Sequence, residues 1–192
     1  MKYLPLYISE DTPLYGNVTG IHFSPDKKMS NCNTMTLSFP TYNGTHIDLP
    51  YHYKTGGITL NNYHAEYWQF DHVEMVDLSG KVGNCQIIGP ELFSGLGNLA
   101  TDLLMIKTGN SMEGGTDRYT LTPLGLSAEL APFLKMVFPK LRCIGMDLIS
   151  VSSCSKREEE RKAHNIFLNP DKGEPILLNE DMKLDMDDHF NK

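Results

Sequence analysis

Leu103-Leu104-Met105-Ile106-Lys107, separated by a helical pattern from Arg142-Cys143-Ile144-Gly145-Met146, is the part of the sequence that decides the fold. Both runs are short, apolar and closed by turn-forming residues, which suits buried strands. Between them Leu130, Phe133, Leu134 and Val137 fall at spacings of 3, 4 and 7, the apolar face of a helix. Ser127 is a plausible N-cap for it, and Pro132 is tolerable because it falls near the first turn. A strand, a helix and a second strand in that order make a crossover joining parallel strands, so the expected class is α/β, with mixed α and β elements.

Working outward, β-like runs recur at 2–8, 34–39, 73–78 and 85–88, divided by clusters of Gly, Pro, Asn and Asp. A second helix is expected from about Ser155 through His164. There Lys156, Arg157, Glu158, Glu159, Glu160, Arg161 and Lys162 read as a solvated face rather than a binding patch. Late in the chain, Pro175-Ile176-Leu177-Leu178-Asn179 is another strand-like run, ending at Glu180.

A chain of 192 residues, 40% of them apolar, fills one substantial core and leaves little room for a second, so one domain over 1–192 is expected. The net charge of -7 offers no cationic surface for gathering phosphates, which argues against nucleic-acid binding. Cys32, Cys85, Cys143 and Cys154 form no CxxC pair and read as reduced, mostly buried thiols. Glu10 and Asp11 come too early for a signal-peptide core, and no run approaches the roughly 18 apolar residues of a membrane span. The expectation is a cytoplasmic protein without a membrane partner.

The chemistry concentrates in Gly44-Thr45-His46-Ile47-Asp48-Leu49-Pro50-Tyr51-His52. In an extended segment His46 and Asp48 point to the same side and can converge on one cation. His52 shares that side by parity, although Pro50 interrupts a regular strand. Gly44 permits an unusual dihedral before the ligands and Pro50 stiffens the exit. Singly, each histidine is more often structural or solvated, and Asp48 could merely hold a turn. A metal shell rarely comes from one segment, so distal donors are needed, and His164 and Glu180 are the candidates. Trp68, Tyr51 and Tyr63 could form an aromatic wall, although such residues are more often core.

Tyr42-Asn43-Gly44-Thr45-His46-Ile47-Asp48-Leu49-Pro50-Tyr51-His52 resembles the HxGTHxDxPxH signature of the metal-dependent cyclase family that includes the bacterial kynurenine formamidases. In the same order, His72-Val73-Glu74-Met75-Val76-Asp77-Leu78-Ser79 is similar to the family's VVDLS strand and Ile106-Lys107-Thr108-Gly109 to its RTG turn. Ile144-Gly145-Met146-Asp147 with Ser150 is similar to its GxDxxS segment. His164 and Glu180 fall where the family places its distal ligands.

The resemblance implies a domain of the swivelling β/β/α type, a mixed sheet with few helices, and hydrolysis of a small-molecule amide, arylformamide-like or a cyclic amide or ester. It further implies that His46, Asp48, His164 and Glu180 bind metal, with Asp48 able to bridge two ions, and that His52 carries the proton. Zn²⁺ or Mn²⁺ is the expected ion. The family's first histidine is Tyr42 here, and a phenol is a poorer ligand than imidazole, so one ion is expected rather than two. Relative to the family the C-terminus is shortened by a core strand, so either a neighbouring subunit covers the open sheet edge or another segment replaces the strand, and a homo-oligomer, dimer or tetramer, is expected. The acidic tail with His189 is expected to be solvated. The contrasting expectation is a degenerate relative that binds a metal or small ligand without catalysis.

Overall fold

A computed structural model describes residues 5, 7–18, 20–26, 32–110, 117–152 and 157–184. Five strands form the central sheet: β3 (His46–Asp48), β4 (Val73–Asp77), β6 (Leu103–Lys107), β8 (Cys143–Met146) and β9 (Leu177–Glu180), in the order β3-β9-β8-β6-β4. The four strands from β9 to β4 run parallel, and β3 pairs antiparallel with β9 at one edge. An antiparallel hairpin of β1 (His22–Asp26) and β2 (Thr34–Ser38) stands apart, and β5 (Ile87–Ile88) pairs parallel with β7 (Gly125–Leu126). The helices are α1 (Pro50–Tyr53), α2 (Asp117–Leu121), α3 (Leu130–Val137) and α4 (Arg157–Leu168). The chain is therefore mixed α and β, a mixed sheet with few helices, as the crossover pattern requires.

Alternate residues of the parallel strands supply two faces. Leu104, Ile106, Ile144, Met146 and Leu178 pack under Leu130 and Leu134 of α3 and Ala163 and Phe167 of α4. Met105 faces the other way and joins Met182 and Leu184. Strands buried on both faces carry continuous apolar runs, which is why 103–107 and 142–146 were readable.

Several expectations are corrected. Ser127 does not cap α3: its N–H bonds to Ile88 O at 2.9 Å as an extension of the β5–β7 pairing, and the helix begins at Leu130 after Glu129. The run 85–88 yields only Ile87–Ile88 because Cys85 sits at φ 55°, outside extended space. His164 does not end its helix. The helix continues to Leu168 because Phe167 and Leu168 are buried with Ala163, and it stops where Asn169, held extended before Pro170, cannot remain helical. Of the run 2–8, Pro5 makes a lone antiparallel bridge to Met182, residues 7 and 8 are irregular, and the rest lies outside the described residues. Cys143 is buried, but Cys85 is half-buried and Cys32 is exposed beside the hairpin, so the thiols are not mostly buried. Cys154 lies outside the described residues. His189 and the side chains of 157–161, which carry most of the charge run, also lie outside them. Among the described residues no helix is long and apolar enough to cross a membrane.

Candidate metal centre

Antiparallel pairing places the first residue of β3 opposite the last residue of β9, so His46 and Glu180 are direct cross-strand partners. Asp48, two residues along β3, projects to the same face. His46 Nε2 then lies 3.7 Å from Asp48 Oδ1 and 3.6 Å from Glu180 Oε2. The donor atoms of these three side chains all lie within 4.8 Å of one another.

The backbone before β3 sets the histidine's orientation. Gly44 adopts φ 63°, a conformation that disfavours any side chain, and its carbonyl oxygen accepts a hydrogen bond from His46 Nδ1 at 2.8 Å. A proton held at Nδ1 leaves the Nε2 lone pair facing the two carboxylates, the tautomer a metal ligand needs. Behind it, Thr45 Oγ1 donates to Asp181 O at 2.5 Å, and Tyr119 donates its hydroxyl to the Asp181 carboxylate. Burial pushes the Asp181 carboxyl up to about 6 although the Tyr119 hydrogen bond and the nearby His46 oppose the shift.

Glu180 is buried at the end of β9. Burial, the neighbouring Asp48 charge and then Asp181 hold its carboxyl well above the usual range, against hydrogen bonds from the Val151 N–H and the Ser150 side chain. Val151 N donates to Oε1 at 2.6 Å, which leaves Oε2 toward His46.

His164 reaches the cluster from α4. Its Nε2 lies 3.7 Å from Asp48 Oδ2, and its Nδ1 lies 3.1 Å from Ser152 Oγ. His52 arrives by a different route from the strand parity expected of it: Pro50 opens the short helix α1 just after β3, and that helical turn brings His52 Nδ1 to 3.5 Å from Asp48 Oδ1. The His52 and His164 rings face each other with centroids 5.6 Å apart. His46, Asp48, His52, His164 and Glu180 thus meet in one open cavity, whose wall also includes Tyr15, Tyr42, Ser150 and Ser152. Ser152, buried under His164, carries no signal in the sequence that could have found it. Tyr51 is exposed beside the site, whereas Tyr63 and Trp68 pack with Tyr67 outside the cavity wall and form no part of it.

These residues suit a divalent cation. Asp48 and Glu180 are both buried and adjacent, and among the described residues their ion-pair partners are imidazoles alone. Two carboxylates sharing a dry site repel one another unless a cation or proton intervenes, and imidazole with carboxylate is a donor set for Zn²⁺, Mn²⁺ or Fe²⁺.

The family to which this mixed α/β sheet and its cluster belong is given by comparison with known proteins. Residues 4–153 match the family described as "Putative cyclase", and the chain belongs to that family. The match contains His46, Asp48 and His52 but ends before α4 and β9. A kynurenine formamidase of Bacillus cereus is 26% identical over 157 residues, covering 82% of this chain and 68% of that protein. Among solved structures, an isatin hydrolase A from Labrenzia aggregata superposes with a TM-score of 0.72 at 17% identity, over 93% of this chain and 78% of the other. A structure described as a "predicted metal-dependent hydrolase" from Bacillus stearothermophilus gives 0.68 at 18% identity, over 97% and 84%.

Proposed function

We propose that this chain hydrolyses a small-molecule amide, an arylformamide or a cyclic amide or ester, with a divalent ion held by His46, Asp48 and Glu180 and with His164 as the fourth donor. The observation that carries this reading is the convergence of imidazoles and buried carboxylates on Asp48, within a family whose relatives include a kynurenine formamidase. When bound, such an ion acts as a Lewis acid that polarises a carbonyl and acidifies water.

The chain's own residues supply the rest. With Nδ1 turned to Asp48, His52 keeps Nε2 for moving a proton, and its side chain, 46% exposed, is the cluster's most accessible imidazole. It takes a proton from the attacking water and returns it to the departing nitrogen as the C–N bond breaks, so that the hydroxyl ends on the acyl carbon. Ser152 and Gly44 hold the other two rings in place.

The test is metal analysis of the purified protein together with turnover of an N-formyl arylamine and an isatin-like lactam in added Zn²⁺ or Mn²⁺. One tightly held ion per chain and hydrolysis of either substrate are expected, with His52→Ala lowering kcat by about 10²–10⁴ while metal is retained. Silence on every substrate with metal present would instead favour a binding protein, the reading that Tyr42 supports because a phenol lines the cavity where the family signature has an imidazole.

A further inference from the structure

The parallel strands have two ends. The candidate metal centre sits at the end where Glu180 closes β9, and a second, larger cavity opens at the other, of about 520 Å³ against about 300 Å³. Ile176, the residue before β9, lies in the wall of that second cavity. Four steps of about 3.3 Å separate it from Glu180, roughly 13 Å along the strand, so a ligand seated there lies beyond contact with the groups around Asp48.

This cavity has an apolar body and a charged rim. Ala131, Pro132 and Pro139 come from α3 and the turn after it, Ile166 from α4 and Ile176 from the approach to β9. Such a lining suits a flat apolar group. Three charged residues border it: Lys135, Lys172 and Glu174. Lys172 and Glu174 are exposed, whereas Lys135, in the last turn of α3, is half-buried. Burial holds its ammonium below the ordinary lysine range, with Glu174 opposing the shift. Lys135 Nζ donates to Leu141 O at 2.9 Å, a neutral acceptor, and an ammonium has two further N–H donors. Among the described residues the Lys and Arg ion pairs are Lys54–Asp171, Lys107–Asp77 and Arg142–Asp102, and Lys135 is in none of them.

We infer that this cavity is a second binding site, for a small organic carboxylate whose apolar body lies against Ile166 and Ile176 and whose carboxylate takes the spare donors of Lys135. A partly desolvated ammonium selects an anion, because a charge-assisted hydrogen bond is strongest where water is scarce and a neutral head group would leave the charge uncompensated. The charge count favours a monoanion: two lysines against one glutamate leave a single positive charge, in a chain whose net charge is -7. Arg142, close by, does not compete for the ligand, since its guanidinium is already held by Asp102 and by the carbonyl oxygens of Tyr67 and Gln69.

Spectra of the full chain with labelled isoleucine methyl groups, titrated with 2-naphthoate and with 2-naphthalenemethanol as its uncharged counterpart, test this. Saturable shifts at Ile166 and Ile176 are expected with naphthoate, and binding of the alcohol should be weaker by about 10-fold or more. Lys135→Met keeps the apolar stem and removes the charge, so it should weaken naphthoate by a similar factor, with Lys135→Arg restoring most of the affinity. Ile149 lines the metal cavity and reports binding there instead. Shifts confined to Ile149, or none up to millimolar naphthoate, would overturn the site. Equal affinity for the alcohol, or undiminished affinity in Lys135→Met, would overturn the role given to the ammonium and with it the carboxylate.

Discussion

Asp147 follows β8 and Glu180 closes the neighbouring strand β9. Both carboxylates are buried and both are pushed above the usual range first of all by that burial, yet their oxygens are spent differently. Asp147 accepts Thr108 N at 2.8 and 3.0 Å, Thr108 Oγ1 at 2.7 Å and Gly109 N at 2.8 Å. Gly109, at φ 79°, belongs to the turn that aims successive N–H groups at that carboxylate. Glu180 receives the Val151 N–H and the Ser150 side chain, and its Oε2 is left facing His46. In one sheet, then, a carboxylate with every oxygen hydrogen-bonded ties two loops together, whereas one with an oxygen facing an imidazole has the geometry of a ligand. Burial alone does not distinguish them.

The largest effect should come from the open pair. Asp48→Ala is expected to abolish retained metal and turnover together, because Asp48 touches all three histidines. Glu180→Gln should do nearly the same while leaving the metal-free fold intact, since the change removes a buried charge that burial already disfavours. If either variant kept a full equivalent of metal by elemental analysis, the cluster would not be the metal site.

Asp147→Ala should invert this pattern. Removing the acceptor strands the buried Thr108 N–H and the part-buried Gly109 N–H, at about 1–3 kcal/mol each, so denaturant unfolding should show a loss on the order of 3 kcal/mol, while metal content per folded chain stays unchanged. Loss of metal from an otherwise folded Asp147→Ala protein would erase the distinction between the two carboxylates.

A smaller effect should appear with pH. The Asp181 carboxyl is held at about 6 against an ordinary 3.8, so its contribution to stability is fully present below 3.8 and is lost as pH rises through about 6. Glu180 acts in the same direction. Metal-free protein should therefore lose about 1–3 kcal/mol from Asp181 between pH 4 and pH 7.5, and Asp181→Asn should lose less over that interval. Equal pH slopes for the two proteins in thermal unfolding would remove Asp181 from the account.

How much of this was legible in the sequence depends on where each signal lives. The parallel strands could be read because both their faces are buried, and His46 and Asp48 because a period of two needs no tertiary information. The approach of His52 could not, since the strand ends at Asp48 and a helical turn from Pro50 carries His52 back to it. The similarity of Thr108-Gly109 and Asp147 to family segments was visible, but not that one grips the other, because 39 residues separate the bonded partners. The β1–β2 hairpin went half-seen: β2 has alternating Thr and apolar residues, whereas Pro25 in β1 argues against a strand except at an edge, which is where it lies.

The least conspicuous member of the site gives the finest test of the same comparison. Ser152 touches no proposed metal position. It acts through His164, whose Nδ1 lies 3.1 Å from the serine hydroxyl while Nε2 faces Asp48. Ser152→Ala should leave the sheet and its buried carboxylates undisturbed and lower zinc affinity about 10-fold, the lower end of what such supporting hydrogen bonds contribute, with Ser152→Thr restoring most of it. Competition with a chromophoric chelator reads this directly. Unchanged affinity in Ser152→Ala would mean that α4 alone fixes the ring, and that the hydroxyl, like the donors around Asp147, serves architecture rather than the ion.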